Sequence, residues 1–167
     1  SDDRLFAAVE DRCTVLSAAD GSVITEYKTP ESSDGIPRAW AYLAYDQGQL
    51  FGTSTIREAL EARLQRRGLT VKSQTDAVFA VNAETGQRQW IYRGSNILHT
   101  TIAIGPDRIY FIDSSLSPQQ RQELYLKDKG ELKQLTGEAA AKAEAEMKKL
   151  DLRLAVALNR FTGEKIW

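Results

Sequence analysis

The chain contains few residues that could carry chemistry, and His99 is the first of them. It is the single histidine, and Cys13 is the single cysteine. A disulfide within the chain and a zinc site built from several cysteines or histidines are therefore excluded. Histidine titrates near neutral pH, so His99 is a candidate for a ligand contact. The commoner role for such a residue is a half-buried, hydrogen-bonded side chain without a ligand.

Two isolated acids and one group of arginines are the other candidates. Asp46 and Asp113 stand at the ends of predicted strands. We expect each of them to cap a turn rather than to bind a metal ion. Arg63, Arg66 and Arg67 cluster at the end of a predicted helix, where they could bind an acidic partner surface. Basic residues there also offset the helix dipole, which is the more frequent reason for their presence.

The composition favours a soluble globular protein of one domain. The chain has 167 residues, of which 42% are hydrophobic and 27% are charged. Its formal net charge is −1, so it lacks the excess of basic residues that is expected of a protein that binds nucleic acid. No apolar run approaches the roughly 20 residues of a membrane-spanning helix. The N-terminal residues do not have the pattern of a signal peptide, and the cysteine count leaves the compartment open.

Three segments of the chain share one pattern of strand, turn and strand. The glycines at positions 21, 86 and 163 align them, and two apolar residues precede a polar one in each case. The polar residue four positions before the glycine is Ser17, Asn82 or Asn159, and the residue four positions after it is Thr25, Trp90 or Trp167. The two stronger copies therefore share eight repeat residues: Asn82, Thr85, Gly86, Trp90, Asn159, Thr162, Gly163 and Trp167.

The spacing of the repeats predicts two helical insertions. Gly86 follows Gly21 by 65 residues and Gly163 follows Gly86 by 77, against roughly 40–50 for a four-stranded propeller blade. The first insertion predicts a helix over 56–67, with a capping box of Thr55 and Glu58 and a terminating Gly68. The second predicts a helix start at 117–120 and a further helix over 138–150, which Thr136 caps and which is rich in Ala, Glu and Lys.

The remaining residues predict an all-β fold with helical insertions. We expect the chain to be a fragment of a β-propeller, with two full four-stranded antiparallel blades and a partial one. The predicted strands are 4–9, 14–18 and 22–27 in the first unit, 39–45, 49–54, 77–82 and 87–92 in the second, and 97–104, 108–113, 153–159 and 164–167 in the third. The partial blade spans 1–30, the second blade spans 38–92 with its insert at 56–75, and the third spans 97–167 with its insert at 116–151. His99 would then lie on a first strand, which lines the central channel of a propeller.

The segments NAETGQRQW and NRFTGEKIW resemble the repeat of the PQQ-like, or quinoprotein alcohol dehydrogenase-like, β-propellers. The motif of that family runs Ala-x-Asp-x-x-Thr-Gly-x-x-x-Trp. In this chain Asn82 and Asn159 stand at the Asp position, and either residue type can hold a tight turn. The first unit matches weakly, because Ser17 replaces the Asp and Thr25 replaces the Trp, with Tyr27 as the nearest aromatic residue.

The resemblance implies a structural part for the repeat tryptophan, which packs between adjacent blades. A quinone-binding member would also need calcium-ligating acidic and amide residues, a base and often a pair of neighbouring cysteines. The last feature is impossible with Cys13 alone. No cofactor is detectable from the residues, and PQQ with calcium is implied by the resemblance only. A periplasmic or secreted location is implied in the same way.

These observations favour a non-catalytic PQQ-like propeller segment, acting as a scaffold or as a protein- or ligand-binding module of a larger protein. One alternative is a part of a PQQ-dependent dehydrogenase whose catalytic residues lie in other blades. Another is an outer-membrane assembly-type propeller lipoprotein. The expected partners are the rest of the parent propeller or a second copy, because fewer than four blades leave open sheet edges that can pair.

Overall fold

The computed structural model describes residues 3–32, 34–69, 75–116, 137–138 and 153–167. These residues form three antiparallel sheets, which follow one another in chain order. Sheet 1 contains β1 (Arg4–Val9), β2 (Arg12–Ser17) and β3 (Val23–Lys28). Sheet 2 contains β4 (Ala39–Asp46), β5 (Gln49–Thr55), β6 (Thr75–Asn82) and β7 (Arg88–Arg93). Sheet 3 contains β8 (Ile97–Ile104), β9 (Arg108–Ser114) and β10 (Arg153–Asn159).

Each sheet is a meander in which consecutive strands pair, so the predicted partial propeller is confirmed as the fold class. The predicted last strand, 164–167, runs beside β10 as a short segment. It makes three backbone hydrogen bonds there, from Asn159 N to the Glu164 oxygen, from Ala157 N to the Trp167 oxygen and from Ile166 N to the Ala157 oxygen. Leu158 and Lys165 form a single antiparallel bridge within this pairing.

Sheet 2 lies between the other two and is covered on both faces. Seven of the eight residues of β6 are buried, which explains why this strand is continuously apolar over its centre. Successive side chains of a strand point to opposite faces. One face of sheet 2 therefore joins sheet 1 through Cys13, Val15, Tyr27, Trp40, Leu50, Phe79, Val81 and Ala83. The other joins sheet 3 through Phe51, Val78, Ala80, Trp90, Ile97, Ile109, Phe111, Val156 and Leu158.

The first insertion contains helix α1 (Glu58–Gln65), which is shorter at both ends than the predicted helix. The predicted capping box of Thr55 and Glu58 is wrong. Thr55 is the last residue of β5, its hydroxyl accepts a hydrogen bond from the Thr75 hydroxyl at 3.0 Å, and Arg57 precedes the helix without a side-chain cap. Pairing within the sheet therefore outcompetes the local cap. Gly68 ends the helical turn with a φ of 74°, as predicted.

The second predicted insertion, 116–151, lies outside the described residues, apart from 116, 137 and 138. This holds for the helix start at 117–120 and for the predicted helix over 138–150 beyond its first residue. Among the described residues, no helix has both the length and the apolar character needed to cross a membrane. The described fold is therefore a stack of three sheets with α1 attached between β5 and β6.

Candidate functional site

The turns that follow β6 and β10 are built by the same hydrogen bonds. The Asn82 side-chain oxygen accepts hydrogen bonds from the backbone amides of Glu84 and Thr85, both at 2.9 Å. The Thr85 hydroxyl then accepts from the Gln87 amide at 3.2 Å. Gly86 closes the turn with a φ of 68°, in the left-handed region that a side chain would strain.

Asn159, Thr162 and Gly163 repeat this arrangement one sheet later. The Asn159 oxygen accepts from Phe161 N at 2.9 Å and from Thr162 N at 3.1 Å, and Gly163 has a φ of 72°. In sheet 1, the Ser17 hydroxyl accepts from Ala19 N at 3.3 Å, and Gly21 also has a φ of 72°. Ser17 thus accepts a hydrogen bond from one turn amide where each asparagine accepts from two.

Trp90 connects sheet 2 to the turn of sheet 3. Its indole is 6% exposed, and its Nε1 donates a hydrogen bond to the Arg160 carbonyl at 2.7 Å. The ring also lies over Gly163, where an added Cβ would meet an indole carbon at 2.7 Å. A larger residue at this glycine would displace the ring. The contact therefore depends on both the glycine and the carbonyl three residues before it.

Tyr27 makes the corresponding contact between sheets 1 and 2. It is 7% exposed, and its hydroxyl donates to the Ala83 carbonyl at 3.0 Å, three residues before Gly86. Its ring occupies the space into which a Cβ at Gly86 would project. Burial raises the pKa of Tyr27, which keeps the phenol protonated and able to donate. Sequence alignment places Thr25, and not this tyrosine, at the tryptophan position.

The register of the strands explains how Tyr27 reaches the same place as Trp90. In sheet 2, Trp90 pairs with Ala80, and in sheet 1 the equivalent pair is Thr25 with Val15. Tyr27 pairs with Cys13, two residues further along the strand and on the same face. An aromatic side chain from that position still extends over the next turn. An aromatic residue two positions after the aligned tryptophan position is therefore the signal by which Tyr27 could have been identified from the sequence.

Arg160 is a buried charge that the sequence did not single out. It is 0% exposed, and its guanidinium donates to the Asp46 carboxylate at 2.7 Å, the Gly105 carbonyl at 3.0 Å and the Gln49 side-chain oxygen at 3.2 Å. It also lies 5.3 Å from the centre of the Phe51 ring. Arg160 therefore ties the turn of sheet 3 to both sheet 2 and the β8–β9 turn. All of these partners are distant in sequence, so no local pattern indicates its burial.

His99 lies in a cleft between α1 and the start of β8. The cleft has a volume of about 370 Å³ and is lined by Thr55, Ile56, Arg57, Glu61, Thr75, Asn96, Ile97, Leu98, His99 and Thr100. The pairing of β8 with β9 breaks between Leu98 and Ala103, and the Thr101 hydroxyl accepts the hydrogen bond of Ile112 N at 2.9 Å instead. This bulge brings His99 and Thr100 to the cleft, as strand irregularities often do at binding sites.

The two candidate acids, Asp113 and Asp46, have structural partners. The Asp113 carboxylate accepts hydrogen bonds from the amides of Ser95 and Asn96, and that of Asp46 accepts from Arg160. Arg63 lies in the last turn of α1. Across the described ranges, no three side chains of His, Cys, Asp and Glu lie close enough together to share a metal ion. The acids in the described part of the chain therefore form no cluster that could ligate calcium.

Comparisons with known proteins support the fold. No known family model matches the chain, and no curated protein matches it significantly. Its full length superimposes on the crystal structure of BamB from Moraxella catarrhalis, at 10% identity and a TM-score of 0.48, and on a europium-containing methanol dehydrogenase, at 10% identity and 0.51. It spans 35% of the first chain and 23% of the second.

At this identity the likeness concerns the fold alone, and only the dehydrogenase superposition exceeds a TM-score of 0.5. That likeness agrees with the three consecutive meander sheets and with the repeated Asn-x-x-Thr-Gly turns of this chain. The chain therefore has the fold of a PQQ-like β-propeller, present as three consecutive sheets.

Proposed function

We propose that this chain is a non-catalytic segment of a larger PQQ-like propeller, which serves as a scaffold and carries a binding cleft. The observation that supports a scaffold is the pair of contacts made by Tyr27 and Trp90. Each joins one sheet to the turn of the next through a buried aromatic ring and one hydrogen bond. In this proposal the repeat residues serve the fold, since the side-chain polar groups of Asn82, Thr85, Trp90, Asn159 and Thr162 hold turns or a neighbouring sheet.

The cleft beside His99 is the proposed binding surface. Arg57 and Glu61 bring charges of opposite sign to it, and Asn96 and Thr100 add amide and hydroxyl groups. The rest of the lining is mainly apolar, so the cleft suits a segment of a partner protein that inserts an apolar side chain and forms a few hydrogen bonds beside it. The cleft lies at the rim that carries α1, so the insertion contributes to the surface as well as to the stack.

A scaffold of this kind should unfold as one unit. We expect urea unfolding followed by circular dichroism, which reports all strands, to coincide with unfolding followed by tryptophan fluorescence. Trp40 lies between sheets 1 and 2, and Trp90 lies between sheets 2 and 3, so the emission reports both interfaces. Two separate transitions would show that the sheets are independent, and would contradict the scaffold.

The dehydrogenase alternative is tested by titrating PQQ and calcium chloride into the whole parent protein in a calorimeter. We expect no saturable heat, because Asp46 and Asp113 already hold structural partners. Saturable binding that is lost in His99→Ala, but kept in a control such as Thr25→Ala, would place a quinone in the cleft. That result would overturn the non-catalytic proposal while leaving the stacked fold intact.

A further inference from the structure

Helix α1 borders a second groove besides the His99 cleft, and this one lies between sheets 1 and 2. The second groove has a volume of about 510 Å³. It is lined by the β1–β2 turn, by the segment that leads into β4, and by residues of the α1 region that include Arg57, Leu60 and Arg63. Both flanking sheets are present, whereas further sheets of a larger propeller would attach to the outer faces of sheets 1 and 3. The second groove is therefore not an open end of the stack.

One side of the second groove carries exposed arginines. Arg66 and Arg67 follow Arg63 by three and four residues, so all three lie on one face of the helical turns that end at Gly68. Each is exposed, and none forms an ion pair with a side chain that the structure describes. Leu60 precedes Arg63 by about one turn and lines the groove with it. The groove thus combines an apolar wall with positive charge that no described carboxylate neutralises.

A carboxylate of the chain itself already occupies part of the second groove. Glu10 Oε1 lies 2.9 Å from Arg57 Nη1, and the two side chains are 57% and 53% exposed. Glu10 has a φ of 57°, in the left-handed region that is uncommon for residues other than glycine. Backbone conformations of this kind occur preferentially at binding sites and switches. The pair shows which group the groove accepts, namely a carboxylate beside an arginine.

Arg38 adds a buried donor to the lining of the second groove. Its side chain is 1% exposed, and its Nη2 donates to the Asp34 carboxylate at 2.7 Å. Its Nη1 is also buried but has no hydrogen-bond acceptor within the described part of the chain. A buried donor without an acceptor is unfavourable. An acceptor oxygen of a ligand beside Arg38 would therefore be stabilised.

We propose that the second groove binds an acidic segment of a partner protein. An apolar side chain of that segment enters the cavity beside Leu60, and flanking carboxylates pair with Arg63, Arg66 and Arg67. A nucleic acid fits less well, because Glu10 and Asp11 place negative charge at the groove and a phosphate backbone has no apolar side chain to bury. Compensation of the helix dipole accounts for the arginines alone, and not for the cavity beside them.

Fluorescence anisotropy of a fluorescein-labelled peptide, Gly-Asp-Glu-Leu-Glu-Asp-Gly, tests this proposal in the whole parent protein. We expect saturable binding that weakens as salt is added, because exposed ion pairs are screened. Changing Arg63, Arg66 and Arg67 together to glutamine should weaken binding about tenfold, at a few-fold for each exposed ion pair. Arg88→Gln is the matched control, because Arg88 is an exposed arginine at the opposite end of sheet 2. It should bind the peptide like the wild type.

A second variant should change the affinity in the opposite direction. Glu10→Gln removes the carboxylate that competes for Arg57, so the peptide should bind about threefold more tightly. A second peptide, with serine in place of leucine, keeps the charge but leaves the cavity unfilled. It should bind the wild type about tenfold more weakly. Because this comparison needs no change in the protein, it stays decisive if circular dichroism shows that the triple variant does not fold.

Several outcomes would overturn the proposal. One is the absence of saturable binding at about 1 mM peptide, where millimolar complexes form. Another is equal binding by the triple variant, which would place the peptide elsewhere on the parent protein. Tighter binding of heparin, with the same dependence on the three arginines, would show a general polyanion surface instead. An affinity that is unchanged or weaker in Glu10→Gln would contradict the proposal as well, because Glu10 would then not stand where the partner carboxylate binds.

Discussion

Different aromatic residues attach one sheet to the turn of the next at the two interfaces, between sheets 1 and 2 and between sheets 2 and 3. Tyr27 approaches the Gly86 turn, and Trp90 approaches the Gly163 turn, yet each donates one hydrogen bond to the carbonyl three residues before the glycine. The common elements are the glycine and that carbonyl. Any aromatic side chain with a polar hydrogen at its far end meets the same requirement if it starts from the right face of the strand.

The two interfaces differ in the residue that supplies the carbonyl. In sheet 3 this residue is Arg160, whose buried guanidinium bonds Asp46, Gln49 and Gly105. In sheet 2 it is Ala83, which is buried but adds no side-chain hydrogen bonds. The interface between sheets 2 and 3 thus holds an additional polar network. We therefore expect it to be the more sensitive of the two to substitution.

The largest effect should follow from Trp90→Ala. Truncating a fully packed aromatic residue costs about 3–5 kcal/mol of unfolding free energy, and Trp90 also loses its hydrogen bond to Arg160. Thr25→Ala at the aligned position of sheet 1 is the control. It should change stability by less than about 1 kcal/mol, because Tyr27 makes the contact there. Urea denaturation measures the unfolding free energy of both variants. Equal losses would show that the position in the repeat, rather than the contact with the next turn, determines the loss of stability.

A smaller effect is expected from alanine substitutions at the turn glycines, which should destabilise the protein by different amounts. Gly163→Ala places a Cβ 2.7 Å from the Trp90 indole, whereas Gly21→Ala meets open space at the same φ of 72°. Both variants carry the strain of a left-handed alanine, about 1–2 kcal/mol. Gly163→Ala should lose about 1–3 kcal/mol more, through overpacking against the ring. Thermal unfolding of the pair in parallel measures this difference, and identical stabilities would mean that the indole moves away at no cost.

The strands, the turns and the fold class follow from the sequence, because alternating apolar residues and a turn glycine are local signals. The sequence offers Tyr27 only as the nearest aromatic residue, because alignment on Gly21 places Thr25 at the tryptophan position. Arg160 was missed because its partners Asp46 and Gly105 lie far away along the chain. The capping box of Thr55 failed for the same reason, since Thr75 competes for its hydroxyl across the sheet. Local rules fail here where distant residues supply the partner.

Tyr27→Phe should have a moderate effect, of about 0.5–1.5 kcal/mol. The variant keeps the ring over Gly86 but removes the hydroxyl that bonds Ala83 and Glu84. Tyr45→Phe is a suitable control, because Tyr45 is exposed. Chemical denaturation at pH 7 compares them. If both variants were as stable as the wild type, packing alone would hold sheets 1 and 2 together, and the hydroxyl of Tyr27 would add nothing to the contact.

The smallest effect should appear at alkaline pH, and it concerns the interface between sheets 1 and 2. Cys13 is fully buried there, opposite Tyr27 on the neighbouring strand. Burial raises the pKa of the Cys13 thiol from 9.0 to about 11. Between these values the unfolded chain has lost the thiol proton and the folded chain has kept it, so the folded state binds more protons. The unfolding free energy must therefore fall as the pH rises from about 9 to 11.

Denaturation curves collected between pH 8 and 9 favour this thiol, because the unfolded thiol ionises there with its ordinary pKa of 9.0, whereas unfolded tyrosine, with an ordinary pKa of 10.0, still keeps its proton. In Cys13→Ala the slope over this range should flatten, even though the small cavity lowers stability at every pH. The wild-type thiol should also resist alkylation at pH 8 until the chain unfolds. If the unfolding free energy of Cys13→Ala still fell with rising pH, groups other than the thiol would cause the loss of stability. Cys13 would then not distinguish this interface from the one at Trp90.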